Sequence, residues 1–260
     1  MSFLPGSGKP RTFVQVGAFT GDDKLIAACR RFGHHLYMFE PNPKRAAELE
    51  RKSAGAPTIH VIAKAVSNRN GSATFHIAGY DDCSSLQTFD AAANTAWVHP
   101  WHPYKHFEMV EDIEVEVIRL DTFLHQNGIA RVDRLEIDAQ GEDLRVVESL
   151  GARIADVKKI QIEVNIHASP LYSDSFTREQ AVAFFASQGF ERHISWKQSM
   201  NREENIVFRN RRFYRHPPVN AVVAAFEQSR MSLRIAWVKL PRVLAVTRMM
   251  WRQKLSGQRS

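Results

Sequence analysis

Short β-branched runs alternate with stretches of helical spacing along most of this chain, and that alternation restricts the fold more than any other feature. Residues 12–18 (TFVQVGA) form an apolar run that meets Gly17, after which Leu25, Ala28 and Cys29 recur at helical spacing. Residues 35–39 (HLYMF) predict a second strand, closed by Glu40-Pro41-Asn42-Pro43, a turn that starts a polar helix over 44–52. Residues 58–66 (TIHVIAKAV) predict a third strand, and Asn70-Gly71 a hairpin into 73–77. Residues 111–119 alternate acids with β-branched residues as a half-exposed strand, and 121–126 begin a short helix. A strand over 134–137, a helix over 141–150 stopped by Gly151, and a strand over 157–164 form a second unit. A helix over 177–188 ends at Gly189, and strands over 190–195 and 206–209 follow, joined by the polar loop 197–205. Such alternation folds as an α/β, mainly parallel sheet with helices on both faces; the last two strands, with no helix between them, make an antiparallel hairpin at one edge.

The composition, 44% hydrophobic and 24% charged over 260 residues, excludes disorder and fibrous structure. Cys29 and Cys83 cannot staple a chain of this size, which predicts a reducing, cytoplasmic compartment. Residues 1–11 read as an N-terminal arm without the apolar run of a secretory signal. The net charge of +7 is unevenly spread: 11 Lys/Arg face a single acid, Glu227, from Arg211 onward, so residues 1–210 hold 24 basic against 27 acidic side chains.

In V-Q-V-G-A-F-T-G, Gly17 and Gly21 stand four apart in the turn after the first strand, where a backbone without Cβ can approach a ligand. The spacing is not the G-x-G-x-x-G of a pyrophosphate cradle, which argues against a dinucleotide. Glu40 lies 19 residues beyond Gly21 at the tip of the second strand, placed to accept hydrogen bonds from a ribose diol. Together these features read as a nucleoside site without a diphosphate, as for S-adenosylmethionine (SAM).

Four segments carry a resemblance to a known family. VQVGAFTG, FEPNP (39–43), AVSNRNG (65–71) and LEIDAQGED (135–143) resemble the motifs of the FkbM family of SAM-dependent methyltransferases, over about residues 12–210, and Cys83-Ser84-Ser85-Leu86 is similar to a serine motif of that family. Gln15 stands where many members have Asp, and Phe19 where Asn is usual. The resemblance implies a class I methyltransferase fold, Rossmann-like, with a doubly wound sheet of about seven strands and an antiparallel edge hairpin. It also implies O-methylation of a saccharide or other small molecule, with SAM as cofactor. Gln15, Gly17, Ala18, Gly21, Glu40, Pro41, Asn42, Ala65, Val66 and Asp138 are the cofactor-binding candidates.

Asp138 and Gln140 follow a core strand at the edge where ligands bind open α/β sheets, so Asp138 is also a catalytic candidate and Gln140 an acceptor-binding one. Glu142 can bind the acceptor or stabilise the helix start. Glu163, Asn165 and His167 share one parity after the apolar positions of the fifth strand; His167 is the preferred general base because an imidazole titrates near neutrality. No spaced motif supports a metal, and none is expected. Ser84 and Ser85 enter as acceptor-binding candidates through the resemblance alone.

Residues 79–110 read as a loop-rich insertion able to form a lid, in which Trp97, His99, Trp101, His102, Tyr104 and His106 either form an acceptor platform or pack over the sheet; Trp101 and His102 are the acceptor-binding candidates. Residues 211–260 read as a basic amphipathic helical tail, docking on its own domain or a second subunit, or lying peripherally on an anionic membrane. Methylation of RNA ribose is a rival function, which the acidic body disfavours; a non-catalytic cofactor-binding protein targeted by its tail is another. If the tail meets membranes, the full chain should sediment with anionic liposomes in a salt-sensitive way, and a chain ending at Asn210 should stay in the supernatant.

Overall fold

The computed structural model describes residues 9–98 and 106–214. The N-terminal half runs β1 (Thr12–Val16), α1 (Asp23–Phe32), β2 (His35–Phe39), α2 (Pro43–Ser53), β3 (Ile59–Ile62), β4 (Ala65–Val66), β5 (Gly71–Ala78), α3 (Ala93–Ala96), β6 (Met109–Ile118) and α4 (Leu120–Gln126). It continues with β7 (Arg134–Ile137), α5 (Asp143–Glu148), β8 (Lys159–Asn165), α6 (Arg178–Ser187), β9 (Phe190–Gln198) and β10 (Glu203–Asn210).

Local sequence sets the helix ends. Asp22 caps α1 by accepting the Lys24 and Leu25 amides, and Gly33 ends it in the left-handed conformation. Asn42 caps α2, whose first residue is Pro43. Thr177 and Gln180 form a reciprocal capping box at α6.

A seven-stranded sheet runs β3-β2-β1-β7-β8-β10-β9. The β1–β2, β1–β7, β2–β3 and β7–β8 pairs are parallel, whereas β10 lies antiparallel to both β8 and β9. Numbered among themselves, these strands follow the order 3-2-1-4-5-7-6. The antiparallel hairpin is where the absence of an intervening helix put it, although its strands are longer than expected and a turn at Ser199–Asn201 joins them. On one face Phe13, Leu36 and Met38 pack on Leu25, Ile26 and Leu49 from α1 and α2. On the other, Val14, Ile137, Ile162 and Phe208 pack on Phe123, Val147 and Phe185 from α4, α5 and α6. The sheet is therefore doubly wound, as the alternation required.

Two expectations need correction. Residues 58–66 are not one strand: a turn in which the Lys64 amide donates to the Ile62 carbonyl (2.8 Å) separates β3 from β4. β3 joins the main sheet, and β4 a second sheet ordered β4-β6-β5. Nor does Asn70-Gly71 close a hairpin, because β4 and β5 both pair with β6 and not with each other. The Asn70 side chain instead bonds the Arg119 amide and the Thr122 hydroxyl.

The insertion has its own apolar cluster, in which Cys83, Ala93, Trp97 and Phe107 pack on Leu171 and Tyr172. His99, Trp101, His102 and Tyr104 lie outside the described residues, as does the tail beyond Tyr214. Among the described residues, no helix is long and apolar enough to cross a membrane. Phe185 is fully buried and stacks on Phe208 at 4.1 Å. Phe185→Ala should cost about 3–5 kcal/mol, read from urea denaturation; an unchanged midpoint would contradict this packing.

Candidate active site

A cleft opens at the carboxyl ends of β1, β2 and β7, where the strand order reverses. Gly17, Phe19, Glu40, Pro41, Asp138 and Gln140 line its main-sheet side. The small sheet and the segment after β5 roof it with Ala65, Val66, Phe75, Asp82, Ser84 and Leu86.

Gly17 has φ +71°, and a Cβ there would stand 1.8 Å from the Asp138 carbonyl oxygen. The glycine is thus required by the packing of two strand-end turns against each other, rather than by ligand approach alone. Its amide and that of Ala18 both donate to the Phe39 carbonyl, at 3.1 and 3.0 Å, which ties the β1 turn to the end of β2. Gly21 lies away from the cleft, where a Cβ would meet Leu49 and Ile26.

Glu40 is 5% exposed, and its two carboxylate oxygens accept the Phe19 amide (2.7 Å) and the Asn42 amide (2.9 Å). Each oxygen retains a further acceptor position, which suits a ribose diol. Burial outweighs the two amide bonds and pushes its pKa up to about 6. Asn42 does not line the cleft: its carbonyl oxygen accepts the Lys44 amide, and its amide group donates to Asp81 at 2.9 Å. Arg45 reaches the same Asp81 at 2.6 Å and lies over the Phe19 ring at 4.6 Å, so the roof is fastened to the ribose turn.

Asp138 lines the cleft and is exposed, and the Gln140 side chain donates to it at 2.6 Å. Loss of hydration, then the nearby Asp82 charge, pushes its pKa upward. Gln140 takes φ +52° and accepts the Tyr172 hydroxyl at 3.1 Å. Glu142 lines the cleft, where it accepts the Ser67 hydroxyl (2.8 Å) and pairs with Arg145. Ser84 lines it too, with its oxygen accepting the Ala78 amide. Ser85 is buried, its hydroxyl donating to the Gln140 carbonyl and accepting the Gln87 amide, so it braces the loop from behind.

Gln15 sits behind the glycine turn, donating to Glu136 at 2.7 Å, and its own side-chain oxygen is buried without a partner among the described residues. Ala18 likewise does not line the cleft. His167 is also outside the lining: its Nδ1 lies 3.0 Å from the Ser169 carbonyl, and its ring meets Trp97 edge-on at 6.4 Å. Trp97 is buried and donates to the same carbonyl at 2.9 Å, which makes it a packing residue. Sequence reasoning missed Phe75, Leu86, Lys64 and Asp82 as lining residues. The acids of Tyr80-Asp81-Asp82 were the available signal; the apolar pair had none, since the small sheet brings it there.

The donor set fits a nucleoside sulfonium. Phe39, Val66, Phe75 and Leu86 form an apolar slot for a base, Glu40 supplies ribose acceptors, and Asp82 and Asp138 offer negative charge beyond it. Among the described residues no three of His, Cys, Asp and Glu are arranged to hold a metal ion.

Strand order and switch-point cleft define a class I methyltransferase fold. Residues 15–192 match the Methyltransferase FkbM domain, and the chain belongs to that family. A 137-residue stretch is 25% identical to the 2-O-methyltransferase NoeI of Sinorhizobium fredii (strain NBRC 101917 / NGR234), covering 52% of this chain and 55% of that protein. The chain thus spans about half the length of this curated relative. Distant likenesses to solved structures include a putative RNA methyltransferase from Pyrococcus horikoshii, with TM-score 0.39, 10% identity, and 78% and 76% of the two chains covered. A human methyltransferase 10 domain containing protein has TM-score 0.42 and 7% identity, with 78% and 73% covered.

Glu40→Ala should abolish calorimetrically detectable SAM binding, whereas unchanged affinity would remove the ribose assignment. The ionised carboxylate is the stronger hydroxyl acceptor. Affinity in the unaltered chain should therefore fall as pH drops through about 6, the value to which burial raises Glu40.

Proposed function

We propose that this member of the FkbM family is a methyltransferase that uses S-adenosylmethionine and transfers the methyl group to a hydroxyl of a saccharide or similar neutral small molecule. The observation that carries the reading is the charge of the cleft: among the described residues Glu40, Asp81, Asp82, Asp138 and Glu142 line it with one lysine, Lys64, while Arg45 and Arg145 pair with Asp81 and Glu142 from outside the lining. A wall of carboxylates accepts hydrogen bonds from a polyhydroxylated acceptor and repels a phosphate backbone. The name of the NoeI relative, a 2-O-methyltransferase, agrees with a hydroxyl acceptor.

Bound SAM supplies an electrophilic methyl carbon on a sulfonium whose sulfur departs with the bonding electron pair. Glu40 would hold the ribose and the slot of Phe39, Val66, Phe75 and Leu86 the base, which directs the methyl group toward Asp138. Asp138 would then face the acceptor hydroxyl, orient it toward the methyl carbon and take its proton as the carbon–oxygen bond forms. The upward shift of the Asp138 pKa increases its proton affinity. Gln140 holds the carboxylate by its hydrogen bond, and Ser84 and Glu142 offer further contacts to the acceptor. His167 packs against Trp97 outside the cleft lining, so the proton is assigned to Asp138 rather than to it.

A mass-spectrometric screen of glycans and small hydroxylated metabolites should find one that gains a methyl group in the presence of SAM and enzyme. Methylation of RNA alone would overturn the acceptor class. On the acceptor found, Asp138→Asn should lower turnover about 10²–10⁴-fold, the usual contribution of a positioned base, and His167→Ala should lower it far less; the reverse order would return the proton transfer to His167.

A further inference from the structure

Behind Asp138 the fold gathers three more carboxyl groups. β7 and β8 pair in parallel with Glu136 beside Gln161, two residues before Asp138 and Glu163 on their respective chains, and the Asp138 charge is felt at Glu163. Asp143, in the first turn of α5, accepts the Glu163 amide at 3.4 Å. Glu203 opens β10 opposite Asn165, two residues beyond Glu163. Glu163 is 9% exposed, and its buried Oε1 has no hydrogen-bond partner among the described residues. Among the described residues no ion pair joins any of the four to a basic side chain. The nearby arginines are committed elsewhere, Arg145 to Glu142 and Asp174, Arg178 and Arg192 to Glu204.

Asp143 and Glu163 are buried, Glu203 is half-buried and Asp138 is exposed; holding the buried pair without a cation is costly, because a carboxylate oxygen with no donor forfeits its hydration. Among the described residues the cluster has no metal-holding arrangement, and of its four acids Asp138 alone lines the cofactor cleft. The cation that must enter that cleft is the sulfonium of the methyl donor.

We infer that Asp138, backed by Asp143, Glu163 and Glu203, is a charge-selective subsite that holds the cationic methyl donor in preference to its neutral thioether product and releases a proton as the cation arrives. The inference rests on the cofactor orientation proposed above.

The groups facing the subsite support the proton exchange. Burial, then the Asp138 charge, raises Asp143 to about 8, and burial raises Glu203 to about 7. Glu163 is pushed well up by burial and by Glu203, Asp138 and Asp143. Asp82 adds negative charge from the roof, while Tyr172 and Cys83 are pushed up by burial and stay neutral. Protons are therefore held on this cluster near neutrality, and an arriving positive charge favours their release. By reciprocity, losing those protons favours the sulfonium over the thioether. Transfer erases the charge on sulfur while the acceptor's proton enters the cleft, so the cluster reprotonates and the product's hold weakens.

The test is titration calorimetry of the full chain with SAM and with S-adenosylhomocysteine, each in two buffers of different ionisation enthalpy. The pH is kept slightly acidic, where the amino group of both ligands is protonated. SAM should bind about tenfold more tightly, the equivalent of one pKa unit in a single group, and should release more protons than S-adenosylhomocysteine. Glu163→Gln should reduce the extra proton release, with Glu203→Gln as the alternative if that chain does not fold. Asp138→Asn should bring SAM affinity down to that of the product. Equal proton release for the two ligands, or a release that none of these substitutions alters, would overturn the inference. Failure of both ligands to bind would instead overturn the cofactor assignment beneath it.

Discussion

The structure depends on one close approach, between the turn that leaves β1 and the turn that leaves β7. The Asp138 carbonyl oxygen occupies the place where a side chain at residue 17 would begin, so only glycine allows the two turns to touch. With that contact made, the amides of Gly17 and Ala18 reach the Phe39 carbonyl and the Phe19 amide reaches Glu40. Three strand ends, with both carboxylates of the cleft floor, are thereby fixed relative to one another before any ligand arrives. Such preorganisation matters for an in-line displacement, whose rate depends on alignment more than on new bonding by the protein.

The second constraint is electrostatic. Negative charge in the cleft is partly answered from within the chain, by Arg45 at Asp81 and Arg145 at Glu142, and partly left open at Asp138 and its buried neighbours. The answered acids hold the roof and the β7–α5 turn in place, and the unanswered ones suit a cationic donor. The charge of the whole chain misleads on this point, because its basic excess lies beyond residue 210.

The main sheet was legible because periodicity survives in single segments: the Glu40–Pro43 turn starts a helix, Gly189 ends another, and the missing helix between β9 and β10 announces a hairpin. The break at Ala63-Lys64 was not legible, since the apolar pattern of residues 58–66 runs through it and only pairing with β2 or with β6 separates the two halves. Glu40 could be read from its place at a strand end, and the chemistry of its site from that. The reason for Gly17 could not, because its partner Asp138 is 121 positions away in sequence. Ser85 shows the same limit: a hydroxyl that reads as a binding group is spent on the Gln140 carbonyl. Phe75 and Leu86 reach the cleft through the second sheet, which exists only by the distant pairing of β5 with β6.

A crystal structure of the chain with S-adenosylhomocysteine bound tests the account most directly. The account predicts the ribose hydroxyls within hydrogen-bond distance of Glu40, the adenine between Phe39, Val66, Phe75 and Leu86, and the sulfur directed toward Asp138. A ribose remote from Glu40, or a sulfur directed away from Asp138, would contradict it.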